Sequence, residues 1–162
     1  MIIHYMQDRD RALPLSPIPR KNWEIDAYPV NEIAEYVQDV SQGDIDVLVE
    51  EYYNKYDMIL DGRDPEEFKE HVAVQAGIEI GFERFLEEKK YQAIVTHFGD
   101  LGSLEQLPGL AIQRLMEKGY GFGGEGDWKT AAMGIEAVYI DGDTTTVSYT
   151  HLRAHETGAY LV

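Results

Sequence analysis

Two carboxylates stand among closely spaced glycines in the second half of the chain. The stretch GYGFGGEGDWKTAAM, residues 119–133, contains five glycines together with Glu125 and Asp127, and then becomes rich in helix-forming residues. Glycine allows unusual backbone dihedral angles and close approach to a ligand. A carboxylate on such a backbone is suited to bind a cation, so Glu125 is a candidate ligand-facing residue, with a solvated loop position as the alternative. Asp127 begins the helix and is expected either to cap it or to interact favourably with the helix dipole.

Other patterns in the chain predict less. Lys129 and Thr130 are adjacent, but the spacing of a phosphate-binding GxxxxGK[ST] loop is absent. Ser103 lacks the G-x-S-x-G setting of a serine nucleophile. His151 and His155 have the i, i+4 spacing of a helical zinc pair, but no glutamate lies between them and no third ligand is evident. We therefore expect no nucleotide site, no serine triad and no zinc pair.

A strand is expected just upstream of the glycines. YQAIVTHF, residues 91–98, is a short apolar run with β-branched residues, which is typical of a buried strand. His97 and Phe98 stand at its end, and strand ends are where sites collect in α/β folds. For His97 we favour a partly buried histidine bonded to backbone over a site residue.

The remaining pattern is mainly helical. Apolar residues recur at helical spacing in four segments, and a further helix begins after the glycines: 30–40, 44–60, 64–90 and 107–119. Asp44 is the predicted cap of the second helix, and Asp64 that of the third, with Pro65 at its first position. Gly119 is the predicted stop of the fourth. This order of helices and strands predicts an α/β fold, with helices packed on a small, mostly parallel sheet.

Composition excludes several classes of protein. The 162 residues carry 30 acidic and 14 basic side chains, a net charge of −16. Such a surface argues against nucleic-acid partners and against an anionic membrane. There is no cysteine, so disulfides and thiolate metal sites are excluded, and a cytoplasmic location is the simplest expectation.

The motifs around the glycines resemble a known family. QLPGLAIQRLMEKGYGFGGEGDWKTAA, residues 106–132, closely resembles the central region of L-arabinose isomerases. The resemblance continues upstream through AIVTHFGDLGSLE, GIEIGFERFLEE and QGDIDVLVEEYYNKYDM to about WEIDAYPVNEI, and so covers roughly residues 23–133. The EGDWKTAA motif is long and specific, and it is the strongest support for the resemblance.

The resemblance implies an aldose–ketose isomerase. Such an enzyme interconverts L-arabinose and L-ribulose through an ene-diolate, with one divalent ion, usually Mn²⁺, and forms homo-oligomers. It needs a carboxylate base and an electrophile for the developing oxyanion. By resemblance, Glu125 is a metal ligand and an acid/base catalyst, and Phe98 lies in the substrate pocket. His97 has no role that transfers.

The chain also departs from the family. After Met133 it reads GIEAVYIDGDTTT, where the family continues a basic helix, and the family's second metal glutamate and two metal histidines have no counterpart. We therefore expect a central-domain fragment that is inactive by itself. A non-catalytic sugar-binding or structural α/β fragment is the alternative. A metal-dependent carbohydrate hydrolase is disfavoured, because no suitably framed pair of carboxylates is present.

Both ends of the chain look unlike its middle. Residues 1–22 contain RALPLSPIPRKN, which suits neither a regular helix nor a strand, and are interpreted as an arm or foreign sequence. VSYTHLRAHET, residues 147–157, matches the translation of a transposase-type sequencing-library adapter, and the residues up to 162 fit its continuation. The expected organisation is an unmatched arm, a partial domain over 23–133, and an unmatched tail over 134–162 without stable packing beyond about residue 144.

Overall fold

Eight helices and strands make up the described part of the chain. The computed structural model describes residues 2–8, 23–96, 101–124, 126–127 and 129–132, with backbone only for 2–8, 23 and 24. The elements are β1 (Ile2–Asp8), β2 (Trp23–Pro29), α1 (Val30–Gln38), α2 (Gln42–Lys55), α3 (Pro65–Lys89), β3 (Ala93–Val95), α4 (Gly109–Glu117) and β4 (Gly121–Gly123). Residues 129–132 are helical as well. The predicted α/β class is confirmed.

The strands form one four-stranded sheet in the order β2-β1-β3-β4. β3 and β4 are parallel, with Ala93 opposite Gly121 and Val95 opposite Gly123. The two pairings of β1 are antiparallel, so the sheet as a whole is mixed. β1 is an addition to the sequence-based expectation, which gave residues 1–22 no strand. Its run IIHYM is rich in residues that fit a pleated surface.

The predicted helix starts are right for α3 and wrong for α2. The Asp64 carboxylate accepts hydrogen bonds from the backbone N–H groups of Glu66 and Glu67, at 3.0 and 3.1 Å, as expected of an N-cap. In α2 the cap is Ser41, not Asp44, because the Ser41 hydroxyl accepts the Asp44 N–H at 3.2 Å. Asp44 lies inside the first turn.

The main core lies where α1, α3 and α4 meet one face of the sheet. Its fully buried residues include Ile33 of α1, Phe82 and Phe85 of α3, Ile94 of β3 and Leu115 of α4. A second cluster joins α2 to α3. Their burial supplies most of the favourable free energy of folding.

β3 is covered on both faces. Ile94 faces the main core, whereas its neighbours Ala93 and Val95 pack with Ala131 and Ala132 of the last helical turn. This pattern is typical of an interior strand of an α/β sheet. It fixes the helical turn after the glycines against the strand before Phe98.

Several expectations fall on residues that the structure does not describe. The pair His151 and His155 and the adapter-like tail lie outside the described residues. In the described ranges, no helix has the length and apolar character needed to cross a bilayer.

Candidate active-site loops

β3 and β4 end side by side, and the two predicted site segments begin there. Val95 and Gly123, the last residues of these parallel strands, are register partners. Ligand sites of α/β folds form beyond the carboxyl ends of parallel strands. The chain runs from β3 to Phe98 and from β4 to Glu125. The predicted arrangement of α4, glycine loop and helix start beside the strand is confirmed.

The backbone of Thr96 joins the two segments. Its N–H donates to the Gly123 carbonyl at 3.2 Å, and its carbonyl accepts the Gly126 N–H at 3.1 Å. Thr96 is thus bonded on both sides of Glu125 and stands two positions before Phe98. Glu125, Phe98 and His97 lie outside the described residues, so their own contacts and roles stay predictions.

At two positions of the loop, the local geometry requires glycine. The Asp127 N–H donates to the Gly124 carbonyl at 3.0 Å and closes a turn. Gly126 has φ +84°, the value that the third residue of a type II turn requires. At Gly123, a Cβ atom would collide with the Asp127 carbonyl oxygen. The glycines therefore let a tight turn lie directly against the next helix.

Asp127 has the capping role predicted for it. Its Oδ1 accepts the Thr130 N–H at 3.1 Å and its Oδ2 accepts the Thr130 hydroxyl at 2.6 Å. The Asp127 carbonyl accepts the Ala131 N–H at 3.3 Å. This is the geometry of an N-cap residue that bonds the third residue of its helix. The capped helix turn and the Gly124–Asp127 turn therefore share one residue.

The side chain of Thr96 is unusual for its position. It is 1% exposed, and its hydroxyl oxygen has no hydrogen-bond partner in the part of the chain described. An unpaired buried hydroxyl costs about 1–3 kcal/mol of desolvation. Thr96 therefore contributes to the loops through its backbone, and its hydroxyl is a cost to stability.

This gives a stability prediction. Thr96→Val keeps the shape and both backbone bonds of Thr96 but removes the unpaired hydroxyl, so the free energy of unfolding should stay equal or rise by up to about 1 kcal/mol. Urea denaturation of the two proteins measures the change. Thr130→Val is the matched control, because that hydroxyl donates to Asp127 and its loss should lower stability. A clear loss of stability in Thr96→Val would show that its hydroxyl is paired.

A buried ionic cluster joins α2, α3 and α4, and the sequence analysis did not find it. The Glu79 side chain of α3 is fully buried. Its Oε2 accepts the Tyr52 hydroxyl at 2.5 Å and the Nε–H of Arg114, on α4, at 2.8 Å. Lys118 Nζ lies 2.8 Å from the other oxygen, as an ion pair without hydrogen-bond alignment. The i, i+4 spacing of Arg114 and Lys118, opposite Glu79 and Glu83, was the available signal.

The cluster keeps its charges because each is paired. Burial disfavours the charged form of Arg114, but the hydrogen bond to Tyr56 and the attraction of Glu79 outweigh it and raise the Arg114 pKa. Burial raises the pKa of the Tyr52 hydroxyl, and the Glu79 carboxylate raises it further. Tyr52 therefore keeps its proton at neutral pH and donates it to Glu79. The cluster ties α4, and hence the start of β4, to α2 and α3.

A complete metal site is not found in the described ranges. Within them, no three histidine, aspartate or glutamate side chains come together closely enough to hold a cation. Ions such as Mn²⁺ need several oxygen or nitrogen donors. The described donors thus do not fit a whole Mn²⁺ site, and they support no chemical step through a metal.

The fold and the loops together define a class of protein. Helices on a small sheet, with two loops joined at the carboxyl edge of a parallel strand pair, form an α/β domain of the kind that carries ligand and enzyme sites. The model of the L-arabinose isomerase central domain matches residues 19–141. The chain belongs to this family.

Individual relatives agree with the family match. The chain is similar to the L-arabinose isomerase of Geobacillus kaustophilus, with 40% identity over 141 residues, which cover 86% of this chain and 28% of the relative. The L-arabinose isomerase of Serratia proteamaculans is 46% identical over 111 residues, covering 68% of this chain and 22% of the relative. L-arabinose isomerase 1 of Clostridium acetobutylicum is 47% identical over 111 residues, covering 68% and 23%.

The coverage values show how much of each relative the chain matches. The chain spans less than a third of the length of these curated relatives. The matched range also runs past the roughly 23–133 predicted from the motifs, and takes in residues 134–141 of the segment left unmatched. Family membership is thus shown for most of the chain, and the activity of a whole enzyme is a separate question.

Proposed function

We propose that this chain is the central-domain part of an L-arabinose isomerase and that it supplies the Glu125 loop to the active site. The observation that supports the proposal most directly is the pair of backbone bonds from Thr96 to Gly123 and Gly126. They hold the segments leading to Phe98 and to Glu125 at one edge of the sheet, in a chain that belongs to the central-domain family.

The reaction assigned to the whole enzyme is the interconversion of L-arabinose and L-ribulose. A base removes the proton from C2 of the aldose, an ene-diolate forms, and the proton returns at C1 while the hydroxyl and carbonyl oxygens exchange roles. Glu125 is proposed as the carboxylate that carries this proton, a task for which carboxylates are suited. Phe98 is proposed to line the sugar pocket.

The other parts of the proposal concern the setting of the reaction. The candidate ion is Mn²⁺, and it would be held by Glu125 together with donors that the described residues do not provide. The partners would be a small sugar and further copies of the enzyme. The proposed location is the cytoplasm, and the proposed process is arabinose catabolism. Each of these follows from family membership and from the composition of the chain.

The test is a hybrid isomerase in which residues 23–132 replace the aligned segment of the Geobacillus kaustophilus enzyme. We expect conversion of L-arabinose to L-ribulose, and a loss of about a hundred- to ten-thousandfold in kcat with Glu125→Gln, because an acid/base group contributes about 10²–10⁴-fold. Glu105→Gln, at an exposed loop position, is the matched control and should leave the rate unchanged. A folded hybrid whose rate ignores Glu125→Gln contradicts the proposal.

A second test uses the isolated chain. With Mn²⁺ added, the isolated chain should show no turnover of L-arabinose above background, and its melting temperature should not rise, because one carboxylate does not hold a divalent ion against water. Turnover that disappears in Glu125→Gln would mean that a complete site assembles in these residues.

A further inference from the structure

Asp127 connects the candidate catalytic turn to the helix that follows it. Its N–H closes the turn on Gly124, its carbonyl packs against Gly123, and its carboxylate caps the helix at Thr130. The turn is bonded on its other side to Thr96 through Gly126. The turn closed between Gly124 and Asp127 is therefore fixed at its last residue by both backbone and side chain.

The carboxylate of Asp127 is already engaged. One oxygen accepts the Thr130 N–H at 3.1 Å and the other accepts the Thr130 hydroxyl at 2.6 Å. A catalytic base or metal ligand needs at least one oxygen directed at the reacting group. Both oxygens of Asp127 thus bond the helix start, a positioning task distinct from the proton transfer proposed for Glu125 two positions earlier.

We infer that Asp127 is a positioning residue that sets the orientation of the Glu125 turn through its cap on Thr130. The inference rests on the proposed function, in which Glu125 is the catalytic carboxylate. It requires the hydrogen-bonding oxygen of Asp127 and not its charge. Asparagine caps helices about as well as aspartate, whereas alanine does not cap, so the two substitutions separate position from charge.

The first experiment uses the hybrid isomerase described above. Asp127→Ala should lower kcat by about ten- to a hundredfold with a smaller change in KM, because displacement of a catalytic group by about 1 Å has effects of this size. Asp127→Asn should recover most of that loss and keep the pH profile of kcat. Glu105→Ala, at an exposed position, is the control for a substitution without contacts.

Two outcomes of that experiment overturn the inference. If folded Asp127→Asn is as inactive as Glu125→Gln, the charge of Asp127 takes part in the reaction and Asp127 is not a positioning residue. If Asp127→Ala keeps the full rate, the cap does not orient the turn. A merely structural role would lower the thermal stability of Asp127→Ala, but not of Asp127→Asn, and would leave kcat unchanged in both folded variants.

The second experiment does not depend on isomerase activity. In the isolated chain, hydrogen exchange at the amides of Gly126, Asp127 and Thr130 reports the turn and the cap. Asp127→Ala should raise these exchange rates by about fivefold, the factor that corresponds to loss of a cap worth about 1 kcal/mol, and Asp127→Asn should not. Glu125→Gln should leave them unchanged. Equal exchange in all three variants would remove the positioning role, even if the hybrid enzyme proves inactive.

Discussion

Arg114→Ala is expected to lower the free energy of unfolding by about 3–5 kcal/mol, the usual cost of removing one partner of a buried ion pair. The Glu79 side chain has no exposed surface, and Arg114 is 4% exposed, so water cannot replace the lost guanidinium. Tyr52 keeps its hydrogen bond to Glu79, and Lys118 stays beside the second oxygen. These two contacts place the expected loss toward the lower end of that range.

Equilibrium unfolding in urea measures this loss, and the chain offers a matched control. Arg84 pairs with Asp44 at 2.8 Å, but both side chains are about half exposed, at 43% and 52%. An exposed pair contributes about 0–1 kcal/mol, so Arg84→Ala should change stability little. If Arg114→Ala and Arg84→Ala lower the free energy of unfolding by the same amount, the Glu79 cluster is open to water. Burial would then not explain its contribution to stability.

The cluster also allows a compensating change. Replacing Glu79 and Arg114 together with methionine removes both charges, and such replacements of buried ion pairs are often neutral or stabilising. The Tyr52 hydroxyl and Lys118 then lose a partner, so we expect the double variant to lie between Arg114→Ala and the original protein. A double variant less stable than Arg114→Ala would contradict this account.

The sequence predicted the features that depend on neighbouring residues. Helical spacing gave α1, α3 and α4 to within a few residues, and local chemistry gave the cap at Asp64 and the stop at Gly119, which has φ +97°. The cap of α2 was placed three residues late, at Asp44, because Ser41 and Asp44 are both good capping residues and only the backbone distinguishes them.

The features that depend on distant residues were not predicted. β4 is three residues long, Gly121–Gly123, and two of them are glycine, so only its pairing with β3 makes it a strand. The bonds of Thr96 to Gly123 and Gly126 join backbone atoms, which leave no trace in residue type. In the sequence alone, Glu79 resembles an exposed charged residue of its helix. Only the fold places Arg114 and Tyr52 beside it. The role predicted for Glu125 rests on the glycine pattern and the family resemblance, and on none of these contacts.

The two glycines inside α3 show how packing changes a prediction made from the sequence. By helix propensity alone, Gly77 and Gly81 each weaken the helix by about 1 kcal/mol relative to alanine. A Cβ atom on Gly81 would lie 2.7 Å from the backbone N and Cα of Val37, so α1 lies directly on this glycine. On Gly77, the nearest atom would be the end of the Ile45 side chain at 3.5 Å, an ordinary contact.

The substitutions Gly81→Ala and Gly77→Ala should therefore change stability in opposite directions. Gly81→Ala forces α1 away from α3 and should lower the free energy of unfolding by about 1–3 kcal/mol, the usual cost of overpacking, since backbone atoms cannot move aside as a side chain can. Gly77→Ala should raise it by up to about 1 kcal/mol through helix propensity alone. Urea denaturation of both variants gives the two values. If both substitutions raise the free energy of unfolding, the contact between α1 and α3 is looser than described. Gly81 would then not be what sets the orientation of α1 against the main core.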